Sequence, residues 1–242
     1  TMAKVDLQAS GGGDIAVSAE ALGNGHAYGA YVKGFGGAGN EVIVSAGGGD
    51  VSLGGTAQGN GNAMGLYVDT NGLGEITAQG NGNVTLKAES KNSGVAYGGY
   101  ATSGTITIEA ERGGLLFAAE SRTGRATGFH GNTGASVSLK TTSAVSGEGS
   151  ISFTAKNTSG ILADGAANAL ASVNGSFVEV ETVAGDIAFS AHSVSGRSST
   201  ANAGSVNGIY AANGGARVKV RSHDGDITAS AVSDSVVVGL AN

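Results

Sequence analysis

The stretch "GGGDIAVSAEALGNGHAYGAYVKG" (residues 11–34) returns at residues 47–70 as "GGGDVSLGGTAQGNGNAMGLYVDT". Each copy opens on a glycine-rich turn that ends in Asp. An alternating run follows, Ile15-Ala16-Val17-Ser18-Ala19 in the first copy. A polar gap then leads to a second short run around Tyr28 and Tyr31. Written once, the phrase would be a turn and two strands. Its return makes the repeat the first thing to measure.

Aligned on the first apolar residue after the turn, the copies start at Ile15, Val51, Val84, Leu115, Ile151, Ile187 and Ile227, spaced 36, 33, 31, 36, 36 and 40 residues apart. The whole chain, 1–242, is therefore one domain of about seven copies. Each copy holds three strand-like runs. The first alternates at period two, as in Ile151/Phe153/Ala155 and Ile187/Phe189/Ala191, the signature of a half-buried strand. Another precedes each Gly-Asp turn: Val5/Leu7/Ala9, Val42/Val44/Ala46, Ile106/Ile108/Ala110, Val137/Leu139/Thr141, Val178/Val180/Thr182 and Val218/Val220/Ser222. The third is centred on glycine: "AYGAYV" at 27, "AMGLYV" at 63, "AYGGYA" at 96, "ATGFHG" at 126 and "VNGIYA" at 206. The connections are short and rich in Gly, Asn and Ser, which suit turns. No helix-period face appears.

Three strands per copy predict an all-β fold: a parallel β-helix, or solenoid, of about seven coils of ~35 residues, neighbouring strands ~4.8 Å apart. One unit cannot bury its apolar edge alone, whereas a stack makes a continuous core. Phe117, Phe153 and Phe189 fall in one column, so ring-on-ring stacking is expected. The rival fold is a seven-bladed β-propeller. It fits less well, because these units are short and propeller blades usually have four strands.

Composition agrees with a thin, layered core. Gly is 45 of 242 residues, Pro, Cys and Trp are absent, 40% of residues are hydrophobic and 13% charged. The net charge is -6, from 19 acidic and 13 basic residues scattered singly. Without a basic run, neither nucleic acid nor an anionic membrane is an expected partner. Without Cys there is neither a disulfide framework nor a thiolate metal site. No stretch approaches the ~20 apolar residues of a membrane helix. The start at Thr1, directly before a strand-like run, reads as an excised or processed segment.

Two columns are candidates for function. The turn column is Asp14, Asp50, Asn83, Gly114, Ser150, Asp186 and Asp226. Its side chains are expected to bond nearby backbone. The alternative is calcium held by stacked carboxylates, with Asp14, Asp50, Asp186 and Asp226 as ligands. The nonapeptide calcium repeat is excluded, because its Asp recurs about every nine residues. In the third run, the glycines Gly29, Gly65, Gly98, Gly128, Gly208 and Gly239 (Ala169 excepted) are followed two residues on by Tyr31, Tyr67, Tyr100, His130, Ala171 and Tyr210. If Ala30, Leu66, Phe129, Leu170, Ile209 and Leu240 point inward, both columns point outward. They would then form a flat floor beside a row of rings that contacts sugars or a neighbour. A kink at the glycine would instead reset the face and bury the Tyr column inward.

The "GDIxVSA" run, the "AxGxY" run, the "VxVxA" run before the next turn and the lack of Cys together resemble passenger domains of bacterial type V secretion. Autotransporter adhesins and filamentous-haemagglutinin-like exoproteins are similar across the whole chain. The resemblance implies a right-handed β-helix stalk, secreted and displayed on the bacterial cell surface. A signal region and a β-barrel translocator would belong to the parent protein. Apart from the resemblance, the expected partners are a host-cell or glycan surface met through the ring row, or other copies of itself stacked end to end as a filament, because an uncapped coil presents unpaired backbone groups. The resemblance carries no catalytic residue and no cofactor onto this chain.

Enzymatic chemistry finds little support. His26, His130, His192 and His223 share no column, and each is expected to be an exposed polar residue. Neither H-E-x-x-H nor G-x-S-x-G occurs. "GNGNAMG" at 59 lacks the glycine spacing and helix of a dinucleotide loop. Polysaccharide-active β-helix enzymes keep one door open. Glu109, Glu111, Arg112, Glu120, Arg122 and Arg125 span successive strands and would have to converge, whereas a solvated ion-pair group is the simpler expectation. An ice-binding face needs ranks of outward Thr-x-Thr, and only "TITI" at 105 fits. The chain is therefore expected to be a non-catalytic structural and adhesive segment.

Overall fold

The computed structural model describes residues 3–34, 39–158, 166–194 and 205–233. The described residues form strands and turns, with no helix. The first coil is β1 (Lys4–Ala9), β2 (Ile15–Ala21) and β3 (Ala27–Lys33). The second is β4 (Glu41–Ala46), β5 (Val51–Ala57) and β6 (Ala63–Asp69). The third is β7 (Leu73–Ala78), β8 (Val84–Ser90) and β9 (Ala96–Thr102). The fourth is β10 (Thr105–Ala110), β11 (Leu115–Ser121) and β12 (Ala126–Asn132). The fifth is β13 (Ser136–Thr141), β14 (Ile151–Asn157) and β15 (Ala167–Val173). The sixth is β16 (Phe177–Thr182), β17 (Ile187–Ser193) and β18 (Val206–Ala212). Strands β19 (Arg217–Ser222) and β20 (Ile227–Ser233) begin a seventh.

Strands three apart in the chain pair in parallel, giving three sheets. Sheet 1 runs β1-β4-β7-β10-β13-β16-β19, sheet 2 runs β2-β5-β8-β11-β14-β17-β20, and sheet 3 holds β3, β6, β9, β12, β15 and β18. The molecule is a β-solenoid of about six turns, three strands per coil. The register matches the repeat: Ile15 pairs Val51, Val51 pairs Val84, and the column continues through Leu115, Ile151 and Ile187 to Ile227. Parallel pairing between successive coils excludes the propeller, whose blades are separate sheets.

The alternating residues close the interior. Leu53, Leu86, Phe117 and Phe153 have no exposed surface, while their neighbours along each strand face out. The phenylalanine column stacks as expected, Phe117 on Phe153 at 4.8 Å and Phe153 on Phe189 at 5.0 Å between centroids, nearly parallel. Phe129 of sheet 3 meets Phe117 edge-on at 5.4 Å. Each such buried ring contributes about 1.5–3 kcal/mol by leaving water.

Polar side chains lock the corners. Asp14 Oδ1 accepts the Asp50 N–H at 2.8 Å, Asp50 Oδ1 accepts the Asn83 N–H at 2.7 Å, and Asn83 Oδ1 accepts the Gly114 N–H at 2.8 Å. Each turn side chain thus bonds the equivalent backbone one coil on. Inside the next corner, Ser121 Oγ donates to the Gly94 carbonyl at 2.9 Å and Asn157 Nδ2 to the Gly124 carbonyl at 2.7 Å. These groups are buried, and a partner spares each the ~1–3 kcal/mol of an unmet hydrogen bond. At the third corner Asn71, Ser103, Thr133, Asn174 and Asn213 all take positive φ, between 49° and 65°.

One strand is absent from the sequence reading. Strand β7 has Gly74 where the other coils have Val or Ile, so its apolar alternation is broken. The branched Val68 side chain fills that space, since a Cβ on Gly74 would meet Val68 Cγ2 at 3.0 Å.

Candidate functional site

The candidate site lies on the outer face of sheet 3. Its geometry begins at the glycines. Between β6 and β9 the backbone pairs run Ala63–Ala96 and Met64–Tyr97, lapse at Gly65–Gly98, and resume at Leu66–Gly99. A Cβ on Gly65 would sit 2.5 Å from the Gly98 carbonyl oxygen and 2.9 Å from both the Leu53 oxygen and the Lys87 nitrogen. The glycine therefore faces the interior, hard against the backbone of sheet 2, and only hydrogen fits there. Leu66, the next residue, is also buried. Two consecutive residues face inward, as at a β-bulge, and the alternation restarts.

This corrects the expected flat floor: of those two columns, the glycines face inward and only the tyrosines face out. Of the residues expected inward, Leu66, Phe129 and Leu170 are fully buried, and Ala30 and Ile209 pack on the core. Gly239 and Leu240 lie outside the described residues.

The kink brings a second outward column beside the first. The residues just before the glycines are Tyr28, Met64, Tyr97, Thr127, Asn168 and Asn207, paired in register. Their rings join those of the expected column. Centroids are 5.0 Å apart for Tyr31–Tyr67, 5.1 Å for Tyr67–Tyr100, 5.3 Å for Tyr28–Tyr31 and 4.9 Å for Tyr97–Tyr100. His130 closes one end edge-on to Tyr97 and Tyr100, and His26 stands 6.1 Å from Tyr28 at the other. Sequence reasoning missed Tyr28 and Tyr97, because period-two counting through the glycine puts them on the opposite face from Tyr31 and Tyr100. The signal was the recurring "AYG".

Access falls along this ladder. Tyr31 is 46% exposed, Tyr67 and Tyr100 are half-buried, and Tyr97 and His130 are 8% and 5% exposed. The expectation of an exposed His130 is thus overturned. The flanking rings take the place of water around it. Ala171 interrupts the column, so Tyr210, half-buried on β18, stands apart from the ladder.

The hydroxyls turn toward the next outward column. Tyr31 Oη donates to Asp69 Oδ2 at 3.4 Å, and Asn132 Nδ2 donates to Tyr100 Oη at 3.0 Å. Lys33 Nζ lies 3.3 Å from the same Asp69 oxygen. Burial pushes the Asp69 carboxyl up, but hydrogen bonds from Thr70 and Lys33 outweigh it and hold the group below its usual value. Burial, reinforced by Asp69 and the neighbouring phenols, pushes the Tyr67 hydroxyl up to about 12. Burial, with Arg125 adding to it, drives His130 down to about 4.

The other candidates separate. Asp14 and Asp50 sit in adjacent coils, as do Asp186 and Asp226, where Asp186 Oδ1 accepts the Asp226 N–H at 2.9 Å. Asn83, Gly114 and Ser150 stand between the pairs. Among the described residues no three His, Asp or Glu gather as a metal set. Arg112 and Arg122 flank opposite ends of β11, whose length is roughly 20 Å. Arg112 lines an open cavity of about 420 Å³ with Asn83 and Glu148, whereas Arg122 lines one of about 220 Å³ with Glu89, Lys91 and Glu120. Glu111 instead accepts the Gly80 N–H at 2.8 Å. The six charged residues do not form one site. His26 accepts the Asn62 N–H at 2.9 Å, and His223 lies 3.0 Å from Glu181. Comparison with protein-family models, with curated proteins and with solved structures gives no match to this chain.

Proposed function

We propose that this chain is a non-catalytic structural and adhesive segment of a bacterial secreted surface protein, a stiff stalk with a contact strip along sheet 3. The observation that carries the reading is the aromatic ladder, which spans four consecutive coils on one outer face and opens to solvent at Tyr31. Exposed aromatic rings with polar tips are favoured contact groups, because they bury a large area at small cost in side-chain entropy. The rings turn their faces to one another, so a partner meets edges and hydroxyls along the strip and the accessible ring at Tyr31. The resemblance to type V passenger domains supports the same reading, since a β-solenoid is the architecture it implies. Bonded corners in every coil suit a part that transmits force.

The test is a triple substitution of Tyr31, Tyr67 and Tyr100 by Ala, measured on a glycan array and on mammalian cell monolayers. Binding should fall while the β-sheet circular dichroism spectrum stays intact. Binding equal to the parent chain removes the strip from the mechanism.

A further inference from the structure

Five of the six tyrosines in the chain collect in one ring ladder. The chain has neither Cys nor Trp, so its tyrosines are its readiest one-electron donors. Within the ladder, Tyr31 and Tyr67 combine three properties. Their rings stack at 5.0 Å with an interplanar angle of 26°. Tyr31 is open to an external oxidant. Its hydroxyl points at the Asp69 carboxylate, which is held ionised and so accepts that hydrogen bond. The two residues belong to different coils and are brought side by side by the register of β3 on β6.

We propose that Tyr31 and Tyr67 are an oxidative modification site, coupled by a peroxidase and hydrogen peroxide into a dityrosine that staples the first coil to the second. Each phenol gives one electron to the oxidant and releases one proton, that of Tyr31 to Asp69 and that of Tyr67 to solvent. The two phenoxyl radicals join by one carbon–carbon bond between the positions ortho to their oxygens. The displaced ring hydrogens move to the oxygens as both rings regain aromaticity. One hydrogen peroxide takes up the two electrons and two protons and leaves as two waters. The folded chain holds the rings together beforehand, which replaces a bimolecular encounter by a local one. Met64, beside the rings in the neighbouring column, is the competing target for two-electron oxidation.

The experiment treats the dilute folded chain with a haem peroxidase and limiting hydrogen peroxide, then isolates monomer. Its mass should fall by two hydrogens, with dityrosine fluorescence. Trypsin cuts after Lys4, Lys33 and Lys87, so the expected product joins peptide 5–33 to peptide 34–87. Tyr31→Phe and Tyr67→Phe should each abolish that species, and Tyr210→Phe should leave it. Unfolding the chain in guanidinium first should cut its yield by roughly tenfold or more, because the rings are then no longer held adjacent. The proposal is overturned by links only within 5–33 or within 92–112, by links only between molecules, by oxygen added at Met64 without coupling, or by equal yield from the unfolded chain.

Discussion

The Phe129 ring occupies the space that a side chain at Gly99 would need: a Cβ built there would run into Cδ2 and Cε2 of that ring. The two residues pair in register on β9 and β12, and Phe129 in turn meets Phe117 edge-on. Large over small across adjacent coils is how a narrow interior accepts a phenylalanine.

Gly99→Ala should therefore destabilise the fold by about 1–3 kcal/mol through overpacking. Phe129→Ala should cost about 3–5 kcal/mol through the cavity it leaves. Combined, the two should cost less than their sum, because the new methyl no longer meets a ring. Urea unfolding of the four chains measures this coupling. Strict additivity would mean that the two positions do not share one space.

Thr133 is the odd residue of the left-handed corner. Asn71, Asn174 and Asn213 take the same conformation with a side chain that tolerates it, while Thr133 is β-branched at φ 49°. A β-branched residue there is strained. Replacing Thr133 by Asn should raise stability by about 1 kcal/mol, read as a higher urea midpoint at unchanged slope. A lower midpoint would show that the Thr133 hydroxyl, bonded to Asn132 Oδ1 at 3.1 Å, outweighs the strain.

The stacked coils, the three-run unit and the phenylalanine column were legible in the sequence because one register repeats. Period-two alternation recurring every 31 to 40 residues allows few other arrangements. What escaped reading was set by neighbours in space. Strand β7 looks broken until Val68 is seen to fill the place of a side chain at Gly74. The glycines of the third run lie against the backbone of sheet 2, a contact invisible along the chain, and that contact turns the alternation over. His130 occupies a tyrosine position in its column, yet Tyr97 of the adjoining column helps to bury it.

Asp50 tests the turn ladder. Its Oδ1 accepts both the Asn83 N–H and the Asn83 Nδ2 donor, the latter at 3.1 Å. Asp50→Ala should cost about 1–2 kcal/mol, in line with other side chains that accept backbone N–H groups. Asp50→Asn, which keeps an acceptor oxygen, should recover most of it. Calcium is the discriminating addition: a midpoint raised by millimolar calcium in the parent chain and not in Asp50→Ala would show carboxylates acting as ligands instead.

His130 makes stability depend on pH. Its imidazole is buried, lies near Arg125 and titrates at about 4, against 6.5 for a free histidine. Among the described residues neither ring nitrogen has a hydrogen-bond partner. Between these two values the unfolded chain binds more protons than the folded one, so stability falls as pH drops from about 6.5 toward about 4. Above that window the contribution is flat. The span corresponds to on the order of 3 kcal/mol. His130→Phe should keep the ring packing and remove the titration, and no hydrogen bond is lost with the nitrogens. Other groups, such as the Glu181–His223 pair, are common to both chains and cancel in the difference. Urea unfolding of both chains at pH 7 and pH 4.5 decides the matter. Equal losses on acidification would remove His130 as the source; a larger loss in the parent chain would locate the excess in this one ring.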